Sequence, residues 1–251
     1  MHIRHLPAQL RRAVVLKPGW LFLWREVVAR RPVARSYRLR GTGQHVVLRH
    51  RTQDLGGITE IYVNDNYALD DEILAALPQS RPLRAVDLGA NIGLFGLKLL
   101  AARPDAQIVA VEPDPDNARV LRATIAANAA ASSWTVIEAC AASAEGTRDF
   151  RAGHFLNSHV SDGGTSTRAI DALPILRDAD VIKIDIEGSE GEILADHRFG
   201  SLTAPVLFLE YHPPHSRETV LSWLRSAGYE PDPFTESDGG HADLRARRRD
   251  R

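Results

Sequence analysis

The chain has 251 residues, 44% hydrophobic and 25% charged, which excludes collagen-like, coiled-coil and wholly disordered classes. Its formal charge is −1, and the single cysteine, Cys140, excludes an intramolecular disulfide or a multi-cysteine metal centre and fits a reducing, cytoplasmic setting. That charge is unevenly spread: residues 1–51 hold Lys17 and eleven arginines against Glu26, a net +11, while the rest hold 19 basic and 31 acidic groups, a net −12.

Residues 1–35 read as one or two short helices. Within them, Trp20, Leu21, Phe22, Leu23 and Trp24 precede Glu26, Val27 and Val28 at helical spacing, and Pro32 stops the run. The two tryptophans are expected to dock on the main core. A membrane-surface helix is the alternative, because basic residues flank the aromatic face. The stretch from Ala13 to Val28 is interrupted by Lys17, Pro18, Arg25 and Glu26, so it predicts neither a signal peptide nor a membrane span. Ser36 to Leu39 and Gln44 to Arg49 flank a Gly41-Thr42-Gly43 turn and predict a hairpin. Ile58 to Asn64 predicts a short strand or turn, and Asp70 to Leu77 a helix closed by Pro78.

From residue 83 the pattern becomes strand, turn, helix. Strands are predicted at 83–88, 107–111, 134–139, 181–186 and 206–210, with helices at 92–102, 115–128, 190–196 and 217–227. Two shorter, more polar strands, 146–151 and 167–170, flank a loop rich in Gly, Ser and His. Short apolar strands alternating with helices imply an α/β, Rossmann-like three-layer sandwich, its seven-stranded sheet mostly parallel. Three regions are expected: an N-terminal helical and β-hairpin extension or lid over 1–80, a core over 81–235, and a polar, basic, frayed tail over 236–251.

The most specific segment is VDLGANIGLFG, Val86 to Gly96, at the first strand–helix turn. Gly89 allows a tight turn and Gly93 close helix–strand packing, while Asp87 can accept hydrogen bonds. In open α/β sheets such turns gather ligands at the strand carboxyl ends. A dinucleotide site carries G-x-G-x-x-G; here the spacing is Asp87-x-Gly89-x-x-x-Gly93, without the second close glycine. Glu112, ending the next strand, suits the hydroxyls of a ribose.

This combination resembles the class I S-adenosylmethionine-dependent methyltransferases. Val181 to Leu194 (VIKIDIEGSEGEIL), Phe208 to His212 (FLEYH) and Val111 to Asn128 narrow the resemblance to the FkbM type, over roughly residues 55–232. The resemblance implies S-adenosylmethionine as cofactor and S-adenosylhomocysteine as product. The expected cofactor contacts are Asp87, Gly89, Asn91, Gly93, Glu112, Pro113, Cys140 and Asp185. Acceptors of such enzymes include hydroxyls on specialised metabolites and sugars.

Strand alternation puts Lys183 and Asp185 on one side of their strand, where buried charge must be paired. Asp185 and Glu187 border the expected methyl-transfer position, and His212 follows the fifth strand directly. These three are the candidate catalytic bases for O-methylation. Glu190 reads as a helix-start acid suited to the dipole. Asp185, Glu187, Glu210 and His212 could bind magnesium or manganese if they converge, but no metal is expected. His154 and His159 lie in the Gly/Ser-rich loop, and His215 reads as a surface residue. The N-terminal segment and the 152–166 loop are expected to form the substrate lid. The partner is expected to be a small-molecule acceptor, anionic or carrier-bound, with a homo-oligomer left open. A nicotinamide-dependent oxidoreductase, N- or carboxyl-methylation, a nucleic-acid-binding module and a non-catalytic cofactor-binding scaffold are the alternatives. The glycine spacing disfavours the first, and the lack of an RNA-fold motif disfavours nucleic acid.

Overall fold

The computed structural model describes residues 7–150, 165–232 and 242–248. The chain begins with α1 (Ala8–Val15), β1 (Leu16–Lys17), α2 (Gly19–Val28), β2 (Val33–Leu39) and β3 (His45–His50), with β1, β2 and β3 forming one antiparallel sheet. Phe22 is the one fully buried residue of α2. Its ring packs against Tyr37 and His50, at centroid distances of 5.7 and 5.4 Å. Tyr37 Oη lies 2.7 Å from His50 Nε2, and Glu26 Oε2 lies 2.7 Å from His50 Nδ1.

With Phe22 and Glu26 facing inward, the stripe at i, i+4 and i+7 must face outward. Trp20 and Trp24 are therefore 72% and 58% exposed, which corrects the expectation that they dock on the core. The hairpin docks through Tyr37, Leu39, Val46 and Leu48, which join the buried core, and through its backbone. His45 N donates to Asn128 Oδ1 (2.8 Å) and Val47 N to Thr124 Oγ1 (3.1 Å).

The segment expected as a strand or turn after residue 58 is helical: α3 (Asp54–Ile58) runs on into a π-helical turn, Thr59–Val63. Leu55, Ile58 and Ile61 recur every third residue and are all buried, so helical periodicity prevails over β-branching. In α4 (Asp71–Ala76) Asp70 caps the helix by accepting from Ile73 N at 2.9 Å.

The core continues with β4 (Arg84–Leu88), α5 (Leu94–Ala102), β5 (Gln107–Val111), α6 (Pro115–Ala127), β6 (Trp134–Ile137), β7 (Cys140–Ala142), β8 (Gly146–Phe150) and β9 (Thr165–Asp171). After these come α7 (Leu173–Leu176), β10 (Val181–Ile184), α8 (Glu190–Leu194), β11 (Val206–Tyr211), α9 (Arg217–Ser226), β12 (Tyr229–Pro231) and β13 (Ala242–Arg248). Seven strands form one sheet in the order β12-β13-β11-β10-β4-β5-β6. From β11 to β6 every pairing is parallel, and β13 runs antiparallel to both of its neighbours.

Successive residues of each central strand enter opposite layers. Ala85, Val181, Val206 and Phe208 join the core beneath α5 and the N-terminal unit. Val86, Ile182, Ile184 and Leu207 join the core on the other face. This two-sided burial produces the expected Rossmann-like three-layer sandwich.

Residues 242–248 overturn the frayed tail. In β13, Leu244 and Ala246 are buried, while Arg245 and Arg247 alternate with them and pair with Asp232. Alternation, obscured by the run of arginines, makes this a strand. Strand order reverses between β4 and β10, so the carboxyl ends of these two neighbours open a crevice.

Candidate active site

Two turns at that switch point build the site. In the first, Gly89 sits at φ +77°, and a Cβ there would run into the carbonyl of Asp185. Glycine is needed for the close approach of two backbones. Gly93 (φ +88°) lies where a Cβ would strike the Leu121 side chain, so it too serves packing.

Asn91, at φ +48°, turns its N–H onto Glu112 Oε2 at 2.7 Å. Glu112 Oε1 accepts from Asp114 N (3.0 Å) and Asn117 Nδ2 (3.2 Å). Burial pushes the Glu112 carboxyl up to about 7, against the pull of these donors. Asp114, with Pro115 behind it, caps α6 by accepting from Asp116 N at 2.7 Å and so fixes Asn117.

Asp87 is fully buried and lies in register opposite Lys183. Lys183 Nζ stands 3.2 Å from Asp87 and 3.2 Å from Asp185, and donates to the Gly89 carbonyl at 3.0 Å. The contact holds Asp87 electrostatically, since neither of its oxygens makes a well-aligned hydrogen bond. Burial works against the Lys183 charge, but Asp185 and Asp87 outweigh it and raise the pKa, so the ammonium persists. The predicted same-side pairing of Lys183 with Asp185 is present.

The second turn follows β10. Glu187 adopts φ +56°, a left-handed conformation that is costly for a residue with a Cβ. Glu190, fully buried, accepts from Ile186 N (3.1 Å) and Gly188 N (3.0 Å). Its Oε1 also lies 3.1 Å from His212 Nδ1. A helix-dipole role alone does not describe it, because it ties the turn to the histidine. His212 Nε2 lies 3.4 Å from Glu187 and 3.5 Å from Glu210, and Tyr67 Oη donates to Glu210 at 3.2 Å.

Burial pushes Asp185 up to about 7, with Lys183 opposing and Glu210 adding to it. Solvent reaches a quarter (24%) of its side chain, yet the concave surroundings strip much of its hydration. Burial and then the neighbouring Asp185 push Glu187 up to about 8. Burial opposes the charge on His212, but Glu190 and Glu210 raise its pKa to about 11, so it is an imidazolium at neutral pH.

The two turns share a cavity of about 210 Å³ with the N-terminal unit. Gly89, Asn91, Glu112, Pro113, Cys140 and Asp185 of the expected cofactor set line it, whereas Asp87 and Gly93 stand behind its wall. Glu187 lines it as well, and His212 sits behind Glu187. The Cys140 thiol is pushed up to about 11 by burial, which suits a wall and not a nucleophile.

Pro32, Arg49 and Asp54 close one side, a contribution that the sequence reading did not assign. Arg49 is spent on Asp54 (2.7 Å) and Asn117 (2.5 Å). Six acidic side chains line the cavity, those of Asp54, Glu112, Asp114, Asp116, Asp185 and Glu187; of these Asp54 pairs with Arg49, Asp116 with Arg119, Asp185 with Lys183 and Glu187 with His212. Arg49 is the one basic side chain in that lining among the described residues, and with Asp54 holding it no guanidinium or ammonium there is left over for a diphosphate.

Asp185, Glu187 and His212 offer ligand atoms within 4.8 Å of one another, the one grouping of this kind among the described residues, so a divalent metal could be shared there. His215 packs against the Trp223 ring at 5.4 Å, away from this cluster. His154 and His159, with most of the expected loop lid, lie outside the described residues. Among the described residues no helix is long and apolar enough to cross a membrane.

Comparison with known proteins places this geometry in a family. Residues 87–231 match the methyltransferase FkbM domain. The solved methyltransferase FkbM from Methylobacillus flagellatus KT superposes with a TM-score of 0.51 at 17% identity, covering 97% of this chain and 59% of that one. The release factor glutamine methyltransferase of Escherichia coli K12 is 42% identical over 52 residues, which is 21% of this chain and 18% of that relative. The chain thus spans less than a fifth of that curated relative.

Proposed function

We propose that this chain, which belongs to the FkbM methyltransferase family, is an S-adenosylmethionine-dependent enzyme that methylates a hydroxyl oxygen of a small molecule. When bound, the cofactor supplies a methyl group already activated by its sulfonium. The lining carries the reading: its acidic side chains, with Arg49 already held by Asp54, suit a sulfonium with an adjacent ammonium better than the diphosphate of a nicotinamide dinucleotide. Glu112, already oriented by Asn91, Asp114 and Asn117, is placed to accept from the ribose hydroxyls.

The acceptor chemistry follows from the second turn. A neutral alcohol attacks weakly unless its proton is removed as the bond forms. Glu187 lines the cavity, has no lysine partner and titrates near 8, so its carboxylate takes that proton. The His212 imidazolium donates to the Glu187 and Glu210 side, while Glu190 fixes its ring from behind. Of the three candidate bases, His212 thus becomes the orienting group. Asp185, tied to Lys183, borders the cofactor position.

Calorimetric titration with S-adenosylhomocysteine and with NADH tests the cofactor: binding of the first alone is expected, and binding of NADH alone would overturn the assignment. Mass spectrometry on a panel of alcohols, phenols, amines and carboxylic acids then tests the acceptor. A methyl gain confined to amines or acids would replace O-methylation by N- or carboxyl-methylation. Activity that survives a chelator supports the proton-transfer role of Glu187. Loss restored by magnesium or manganese would reassign Asp185, Glu187 and His212 as ligands.

A further inference from the structure

The outward face of α2 plays no part in the site described above. Along it, Trp20, Trp24 and Val27 stand at i, i+4 and i+7, with Val28 beside them, and Val27 is 79% exposed. Leu10 and Val14 of α1 extend the stripe across a shallow hollow that Trp20 also lines. So many large apolar side chains on two adjoining helices form one patch, not scattered exposure.

The rim is cationic throughout. Lys17 and Arg40 stand at one end, and Arg30, Arg31 and Arg51 at the other. Two of these are pinned to the helices: Arg40 Nε donates to the Val14 carbonyl (2.7 Å), and Arg51 Nε to the Ala29 carbonyl (3.0 Å). Among the described residues none of the five makes an ion pair, so these five of the segment's basic charges are not neutralised by folding against the acidic body, whereas Arg49 is. Glu26, the only acid of the first 51 residues, points inward to His50.

We infer that this face docks on an anionic membrane surface, with the tryptophans and valines at the level of the headgroups and the arginines on lipid phosphates. Indole rings favour the membrane–water interface, and a cationic rim around an apolar stripe matches an acidic lipid layer. A second copy fits poorly, because a two-fold interface would set this rim against itself. Pro32 lines both the arginine-rich hollow and the cavity of the active site, so docking would bring the cleft close to the lipid.

The test is flotation of the full chain with vesicles of phosphatidylcholine alone and of phosphatidylcholine mixed equally with phosphatidylglycerol. Binding to the anionic vesicles is expected, at least about tenfold weaker on the neutral ones and weakened by salt. A blue shift of tryptophan emission should accompany it. The triple variant Trp20→Ser, Trp24→Ser, Val27→Ser should lose binding by about tenfold or more with its melting temperature unchanged, because those side chains already face solvent. Arg30→Gln with Arg31→Gln should reduce the preference for anionic lipid, with Lys17, Arg40 and Arg51 keeping part of it. Failure to float with anionic vesicles overturns the inference, as does binding that the triple variant retains. A dimer dissolved by that variant, with no vesicle binding, would assign the face to a second copy. Cofactor titration of the same variants, expected to be normal, keeps this test separate from that of the methyl-transfer site.

Discussion

The turns after β4 and β10 are neighbours at one sheet edge, and each contains left-handed residues and lies against acids, yet they are built oppositely. The first rests on Glu112, just beyond β5, which accepts from Asn91 N of the turn and from two further donors, and glycine occupies the position where two backbones meet. In the second, Glu187 holds a left-handed conformation that glycine would adopt more easily, and its carboxyl faces Asp185 and Glu210. One turn is satisfied and rigid, suited to holding a ligand. The other stores unfavourable backbone and charge, suited to moving a proton.

The largest effect should come from the first turn. Gly89→Val puts a branched side chain against the Asp185 carbonyl at positive φ, and should cost about 3 kcal/mol or more. Thermal denaturation checks this; an unchanged melting temperature would mean that the turn is not rigid. Next comes the second turn. Glu187→Gln should lower kcat by about 10²- to 10⁴-fold while cofactor affinity changes only a few-fold. Because the base works ionised, the wild-type rate should climb with pH through about 8, and the variant should lose that limb. A variant with the wild-type pH profile would move the base elsewhere.

Glu112→Gln removes the acid on which the first turn rests, and should weaken cofactor binding about tenfold, as read by calorimetry, with kcat little changed. The smallest effect is on stability. The folded-state pKa of Glu187 lies above its unfolded value, so the folded form pays increasingly as pH rises from about 4.5 towards 8. Glu187→Gln should therefore stabilise the protein at pH 9 by about 1 kcal/mol, discounted for the partial exposure of the side chain, and leave it unchanged below pH 4. Denaturant melts at both pH values decide it, and equal stability at pH 9 would deny the charge strain.

Much of the first turn was legible because its chemistry is local. Asp87, Gly89, Gly93 and Glu112 announce themselves by spacing, and Val86 or Ile182 by apolar runs that fit a strand buried on both faces. The second turn was legible in its residue types but not in their roles. Glu190 looked like an ordinary helix-start acid, since nothing local shows that His212, 22 positions later, returns to it. Nor does the local sequence show that Glu190 and Glu210 converge on His212 from separate elements and raise its pKa. Arg49 and Asp54 carry no local signal for the same reason, since only folding brings the N-terminal unit onto the cleft. Hydrophobicity alone does not tell which side of α2 is buried: Phe22 fills the inward position, and Trp20 and Trp24 face out.

The seventh sheet strand brings a further consequence. Residues 242–248 lie between β11 and β12, although β12 ends at Pro231, earlier in the chain. A nascent polypeptide therefore cannot complete the sheet until residue 248 has emerged from the ribosome. Until then the apolar edge of Val206–Tyr211 needs shielding from aggregation, by a chaperone or by transient pairing. Premature termination just short of this strand should cost far more than the loss of seven polar-looking positions suggests.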